Sequence, residues 1–199
     1  MKSRLGVLLI SDIKNYSNNA SNLLSGFLFN RGLWVITACR FRTRLTTKPK
    51  SNFILNTLIK IFNHLLRYII VIFAKTEWHS TLELESKLYL SNRGRMVIGA
   101  RKIGRGSVLQ HDTTIGTNPL ADGKGNRPII GRNVWIGANS IIYGKIKIGN
   151  GVTVCENTVI SKSIPDNYVL KGNPARVIKK NFDNQQLRMN PESHSSQYL

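Results

Sequence analysis

Two different spacings of apolar residues divide the chain. In the first third, apolar positions recur at helical spacing. Residues 20–46 carry Phe27, Leu28, Leu33, Trp34 and Ile36 beside Arg31, Arg40, Arg42 and Arg44, which predicts a helix with apolar and basic faces. The stretch Thr46–Ser51, with Pro49, breaks it. Residues 52–75 then predict a second helix, through Leu55, Leu58, Ile59, Phe62, Leu65, Leu66, Ile69, Ile70 and Phe73. Lys60, Asn63, His64 and Arg67 interrupt its apolar run. That pattern suits a helix lying on a membrane surface, or packed on the next domain or a partner subunit, better than one crossing a bilayer.

From about residue 84 the spacing is six. Ile130, Ile136, Ile142, Ile148, Val154 and Ile160 mark every sixth position. Four residues after each comes Val134, Ser140, Ile146, Val152, Thr158 or Ile164. The same phase holds at Ile103, Leu109 and Ile115, with Ser107 and Thr113 following. Leu84 and Leu90 extend it more weakly, and Met96 or Val97 is expected to carry it across a one-residue slip. A period of six is neither a helix face nor simple strand alternation. It is the mark of a parallel β-helix, in which three hexads make one triangular coil and the aliphatic residues stack inside. Such prisms wind left-handed. The reading is therefore a mainly β chain, a left-handed parallel β-helix with an N-terminal α-helical region. Its expected organisation is a helical region at 1–80, the prism at 81–182 and a polar tail at 183–199, of which Asn190–Leu199 is expected to be disordered. Between the hexads of Ile115 and Ile130 the segment Thr117–Ile129, rich in Gly, Asn and Pro, breaks register as an extruded loop, a common place for function. After Ile164-Pro165 the pattern is expected to stop.

Charge changes the picture more than composition does. Twenty-nine Lys and Arg against ten Asp and Glu give a formal +19. Twelve basic and two acidic residues precede residue 81, and seventeen and eight follow it, so the excess is spread along the chain. No nucleic-acid-binding motif accompanies it, which leaves a solvated basic surface or attraction to an anionic membrane. Cys39 and Cys155 form no CxxC pair, in keeping with a reduced, cytoplasmic setting. The apolar run Gly6–Ile10 is too short for the core of a signal peptide.

The phrases QHDTTIG, RPIIGRNVWIGANSIIYG, KIKIGNGVTV and VISKSIPDNYVLKGNPARVI, covering about residues 84–182, resemble the hexapeptide-repeat acyltransferases. The helical region ahead of the prism is similar to that of serine acetyltransferases and of colanic-acid or capsular polysaccharide O-acetyltransferases. The resemblance implies a homotrimer with acetyl-CoA in the groove between subunits, a histidine as general base, and no metal. His111 falls where QHDTTIG places the family's histidine. Ala138, Glu156, Ser161 and Lys162 fall at coenzyme-binding positions, and Arg176 and Lys179 at positions that meet the nucleotide phosphates. Trp135 of the VWIG phrase is expected either near the acceptor or the thioester or as an aromatic that fills a corner of the prism. Serine acetyltransferases carry histidines in DHATG and DRHP, where this chain has Asn92 and Arg127. Those departures favour a sugar hydroxyl of a cell-surface polysaccharide or its precursor as acceptor, with L-serine as the alternative. The expected partners are acetyl-CoA and a glycan, with peripheral contact to the inner face of the membrane and no nucleic acid. A non-catalytic scaffold or a zinc enzyme on the same fold is the third reading, opposed by the single histidine in the repeats.

Overall fold

The computed structural model describes residues 5–16, 30–46, 53–118, 126–189 and Pro191. Among the described residues three helices lead into the prism: α1 (Leu5–Tyr16), α2 (Arg31–Thr46) and α3 (Phe53–Ala74). The expected helix at 20–46 is present from Arg31; residues 20–29 lie outside the described residues. The sequence reading did not foresee α1, whose short apolar run gains stability from packing on the prism and not from its own pattern.

Fifteen short strands follow among the described residues, and they form three faces. The first face stacks β1 (Thr76–Trp78), β4 (Met96–Ile98), β7 (Thr114–Gly116), β10 (Ile141–Tyr143) and β13 (Val159–Ile160). The second stacks β2 (Glu83–Leu84), β5 (Lys102–Ile103), β8 (Ile129–Ile130) and β11 (Lys147–Ile148). The third stacks β3 (Tyr89–Leu90), β6 (Val108–Leu109), β9 (Trp135–Ile136), β12 (Thr153–Val154) and β14 (Val169–Lys171), and β15 (Arg176–Lys179) closes it antiparallel on β14. All pairings between successive coils are parallel. The result is a left-handed parallel β-helix of about 5 turns.

The hexad residues fill the prism as the spacing predicts. Ile103, Leu109, Ile115, Ile130, Ile136, Ile142, Ile148 and Val154 are fully buried in one continuous core. Each coil covers the apolar side chains of the one below, which no coil could do alone. Two places depart from the reading. Ile98 pairs with Ile115 and takes that hexad position, while Met96, two residues earlier, is buried in the same core and Val97 points outward. The corner Ser91–Arg95 is two residues longer than a regular one, and the next corner is one residue shorter. At the other end the pattern does not stop at Ile164. Ile164 bridges Ile148 and Leu170 pairs with Val154, so one more partial coil forms after a corner shortened by two residues. The first face also starts at Thr76, ahead of the expected boundary, which puts His79 at a prism corner.

Left-handed backbone turns the corners. Between the second and third faces Gly106, Asn133, Gly151 and Asn167 stack in successive coils, all with positive φ. Side chains alternate with their absence: a Cβ on Gly151 would collide with Oδ1 of Asn167, and one on Gly106 with Oδ1 of Asn133. Asparagine tolerates this conformation and glycine leaves room for it.

The second face is held by charge. Glu85 accepts from Lys102 Nζ at 2.7 Å, from the Arg105 backbone N–H at 3.0 Å and from Arg132 Nε at 3.2 Å. The Lys102 bond leads these in holding the carboxyl down to about 2, below its ordinary value of 4.5. A carboxyl lowered on folding contributes stability above its unfolded value and loses it as pH falls through the folded value. Stability should therefore decline from about pH 4.5 towards about pH 2. Glu85→Gln should cost about 1 kcal/mol at neutral pH and almost nothing at the acid end, as read by urea unfolding.

The helical region docks on the first coils. Asp12 and Arg40 form a buried ion pair at 2.8 Å. Arg40 also donates to the carbonyls of Leu84 (3.3 Å) and Glu85 (2.6 Å), and Asp12 accepts from the Leu88 N–H at 3.4 Å. The Tyr16 hydroxyl both accepts from the Leu90 N–H (2.6 Å) and donates to its carbonyl (2.9 Å). A Cβ at Gly32 would strike that same carbonyl, so α2 can approach β3 only with glycine there.

Candidate active site

The edge between the third and first faces gathers several of the expected residues. Strand register makes Asn92, His111, Ala138 and Glu156 equivalent positions of four successive coils. Backbone bonds tie the column together: Asn139 N–H donates to the His111 carbonyl and Asn157 N–H to that of Ala138, both at 3.0 Å. Asn139 Nδ2 adds a bond to Asn157 Oδ1 at 2.6 Å. Coil spacing along such an edge is about 4.8 Å.

His111 is half-buried, and its Nδ1 is buried with no hydrogen-bond partner among the described residues. It sits over Gly94 of the coil below, where a Cβ would meet the His111 Cβ and the Asp112 carboxylate at under 3 Å. Asp112 Oδ1 accepts from the Arg95 N–H at 2.8 Å, which fixes the corner that carries the imidazole. Neither Gly94 nor Asp112 stood out in the sequence, because their role depends on which residue lies one coil away. The only signal was the SNRGR corner itself.

Asn92 is turned to another task. Its Oδ1 accepts from the Gly32 N–H at 3.3 Å and its amide donates to Asn30 Oδ1, so it caps the start of α2. Arg127 lies on the next edge, between the first and second faces. It bonds His79 Nδ1 at 2.6 Å and Thr81 Oγ1 at 2.7 Å, while the Thr81 N–H donates to the same imidazole nitrogen at 3.2 Å. Burial, then the charge of Arg127, holds His79 below its ordinary value, so it accepts here as neutral imidazole. This cluster at the root of the extruded loop was not foreseen. The tip of that loop, residues 119–125, lies outside the described residues.

Ser161 and Lys162 are exposed on the Arg127 edge, away from the His111 column, and Arg176 and Lys179 are exposed on β15 at the top of the prism. Trp135 is buried on the third face with Tyr89 and Val108, beneath Tyr16 and Leu187. Leu187 belongs to α4 (Gln185–Met189), within the expected polar tail. The tail is anchored by Asn184, whose Nδ2 reaches the carbonyls of Asn133 (2.9 Å) and Gly151 (3.2 Å). Further along, the Pro191 carbonyl accepts from Gln110, beside His111, at 2.7 Å. Both thiols are held towards their protonated form. Burial pushes Cys39 up to about 12, and burial with the Glu156 charge raises Cys155. Among the described residues no group of three His, Cys, Asp or Glu is placed to hold a metal ion.

Comparison with known proteins follows the prism. Residues 127–162 match the family model described as bacterial transferase hexapeptide (six repeats). A serine acetyltransferase of Buchnera aphidicola subsp. Schizaphis graminum is 36% identical over 103 residues, 51% of this chain and 40% of that protein. An Escherichia coli K12 protein named as a lipopolysaccharide biosynthesis O-acetyl transferase is 48% identical over 52 residues, 26% of each chain. This chain thus spans less than two thirds of the length of either relative. The solved serine acetyltransferase of Neisseria gonorrhoeae superposes with a TM-score of 0.75 at 22% identity, over 94% of this chain and 69% of that one. That of Brucella abortus strain S19, in complex with coenzyme A, gives 0.73 at 24%, over 88% and 68%. Likeness at these identities is one of fold.

Proposed function

We propose that this chain, whose residues 127–162 carry the repeats of the bacterial hexapeptide transferases, is an acetyl-CoA-dependent O-acetyltransferase. One observation carries the reading: His111 shares a prism edge, coil upon coil, with Ala138 and Glu156, two of the positions expected to meet the coenzyme. An imidazole there takes the acceptor's hydroxyl proton as the oxygen attacks the thioester carbonyl. A backbone N–H holds the oxyanion, and the coenzyme leaves as a thiol once the imidazolium returns the proton. No acyl-enzyme forms. The first face, beside this column, presents Val97, Thr114, Ile141 and Val159 outward, half-buried or exposed. A second subunit packed there would complete the groove, and in a closed trimer each chain meets its neighbours in the same way.

For the acceptor, L-serine is the reading the comparisons support better, through relatives named serine acetyltransferase and a common layout of helices and prism. A sugar hydroxyl, the first expectation from the sequence, stands as the second reading. Asn92 favours it, because its amide is committed to α2 and leaves no imidazole at that position. The lipopolysaccharide-biosynthesis relative favours it too. Release of free coenzyme A from acetyl-CoA should be measured with L-serine and with a panel of oligosaccharides. Turnover with serine alone is expected; turnover with a glycan alone would reverse the order, and turnover with neither would sink the transferase reading.

A further inference from the structure

Helix α3 presents to solvent a stripe that the prism does not cover. Leu58, Ile61, Leu65, Ile69, Ile72 and Phe73 recur at three- and four-residue steps along it, with Leu65 60%, Ile72 68% and Phe73 63% exposed. The opposite side, Ile70 and Ala74, is buried in the core. Between α1, α2 and α3 the stripe opens into an apolar groove of about 410 Å³, lined by Leu9, Trp34, Phe41, Phe62, Leu66 and Ile70. Exposed Val7 and Ile10 of α1 add to this apolar surface.

Charge selects the occupant. Of the twelve basic residues before residue 81, ten lie between Asp12 and Glu77, and no acidic residue lies between them. A second copy seated on this surface would set that positive charge against its own image, since the Asp12 carboxylate is buried against Arg40 and offsets that one charge only. A surface of anionic headgroups complements it. Lys60 and His64 sit beside the stripe, where a helix lying in the interface plane places its basic residues. By length and composition Thr57–Ala74 could also cross a bilayer. Its packed side, and Arg67 lying over the Trp78 ring at 6.0 Å, hold it instead against the protein.

We propose that α3 lies flat in the interface of an anionic lipid bilayer, its apolar stripe towards the acyl chains and its basic residues among the headgroups. This stands whether or not the transferase reading holds. The test is flotation of the full chain with vesicles of phosphatidylcholine alone and with phosphatidylglycerol added, at low and high salt. Binding should be at least about tenfold stronger to the anionic vesicles and should weaken with salt. Leu65→Glu/Ile72→Glu, both at exposed positions, should lower it about tenfold or more with unchanged circular dichroism and retention volume. Equal partition into neutral and anionic vesicles, or full binding by the double variant, overturns the proposal. So does an absence of binding to either vesicle; a smaller assembly for the double variant by light scattering would then name a second copy as the occupant.

Discussion

Replacing His111 with alanine is expected to lower kcat/KM for acetyl transfer by about 10²–10⁴-fold while the prism stays folded, the loss typical of a removed general base. The fold should tolerate the change because the backbone of His111 holds the coil: its carbonyl accepts from Asn139, while its Nδ1 bonds to no other described residue. Affinity for coenzyme A, measured by calorimetry, should change little, since Ala138 and Glu156 lie in later coils. A loss confined to kcat marks a group that acts on the reacting atoms. An active variant would redirect attention to His79, the other imidazole at a prism corner, which Arg127 and Thr81 hold by Nδ1. His79→Ala in the same assay then separates the two.

The second large effect concerns the joint between helices and prism. Arg40→Ala should lower the free energy of unfolding by about 3–5 kcal/mol, because it strands the Asp12 carboxylate in the interior. The carbonyls of Leu84 and Glu85 lose their donor at the same time. Burial already pushes Asp12 above its ordinary range, against the pull of Arg40, so the uncompensated charge has nowhere to go but to neutralise. Asp12→Leu/Arg40→Leu should recover most of the loss, since an apolar pair of similar volume replaces a desolvated ion pair at little cost. Urea unfolding followed by circular dichroism reads both variants. A double variant as unstable as Arg40→Ala would place the cost in the two carbonyls instead.

The repeats were legible because their inward residues obey one local rule, a single aliphatic side chain per hexad. Legibility failed where tertiary contact overrode the count. Ile98 looked out of phase because two extra residues at Ser91–Arg95 make room for Asn92 to cap α2 and for Gly94 to pass beneath His111. Leu170 was lost behind a corner shortened by two residues. Helix α1 has too brief an apolar run to announce itself, and its key side chain, Asp12, is a charge that only Arg40 makes tolerable. Of the proposed site, His111 was expected from the sequence as the one histidine within the hexads. The Arg127–His79 cluster was not, since 48 residues separate its members. The cover over Trp135 was equally hidden, because the segment that supplies it reads as a polar tail.

Because Asn92, His111, Ala138 and Glu156 repeat once per turn, the separations along that edge come in whole multiples of the backbone pitch, about 4.8 Å. If His111 is the base and Ala138 and Glu156 meet the coenzyme, as proposed, side-chain substitution cannot tune their separation continuously. A longer or shorter donor would have to be met by gaining or losing an entire rung. The reach of such an enzyme is therefore counted in turns of the prism, like marks on a ruler, and is fixed before any residue in the groove is chosen.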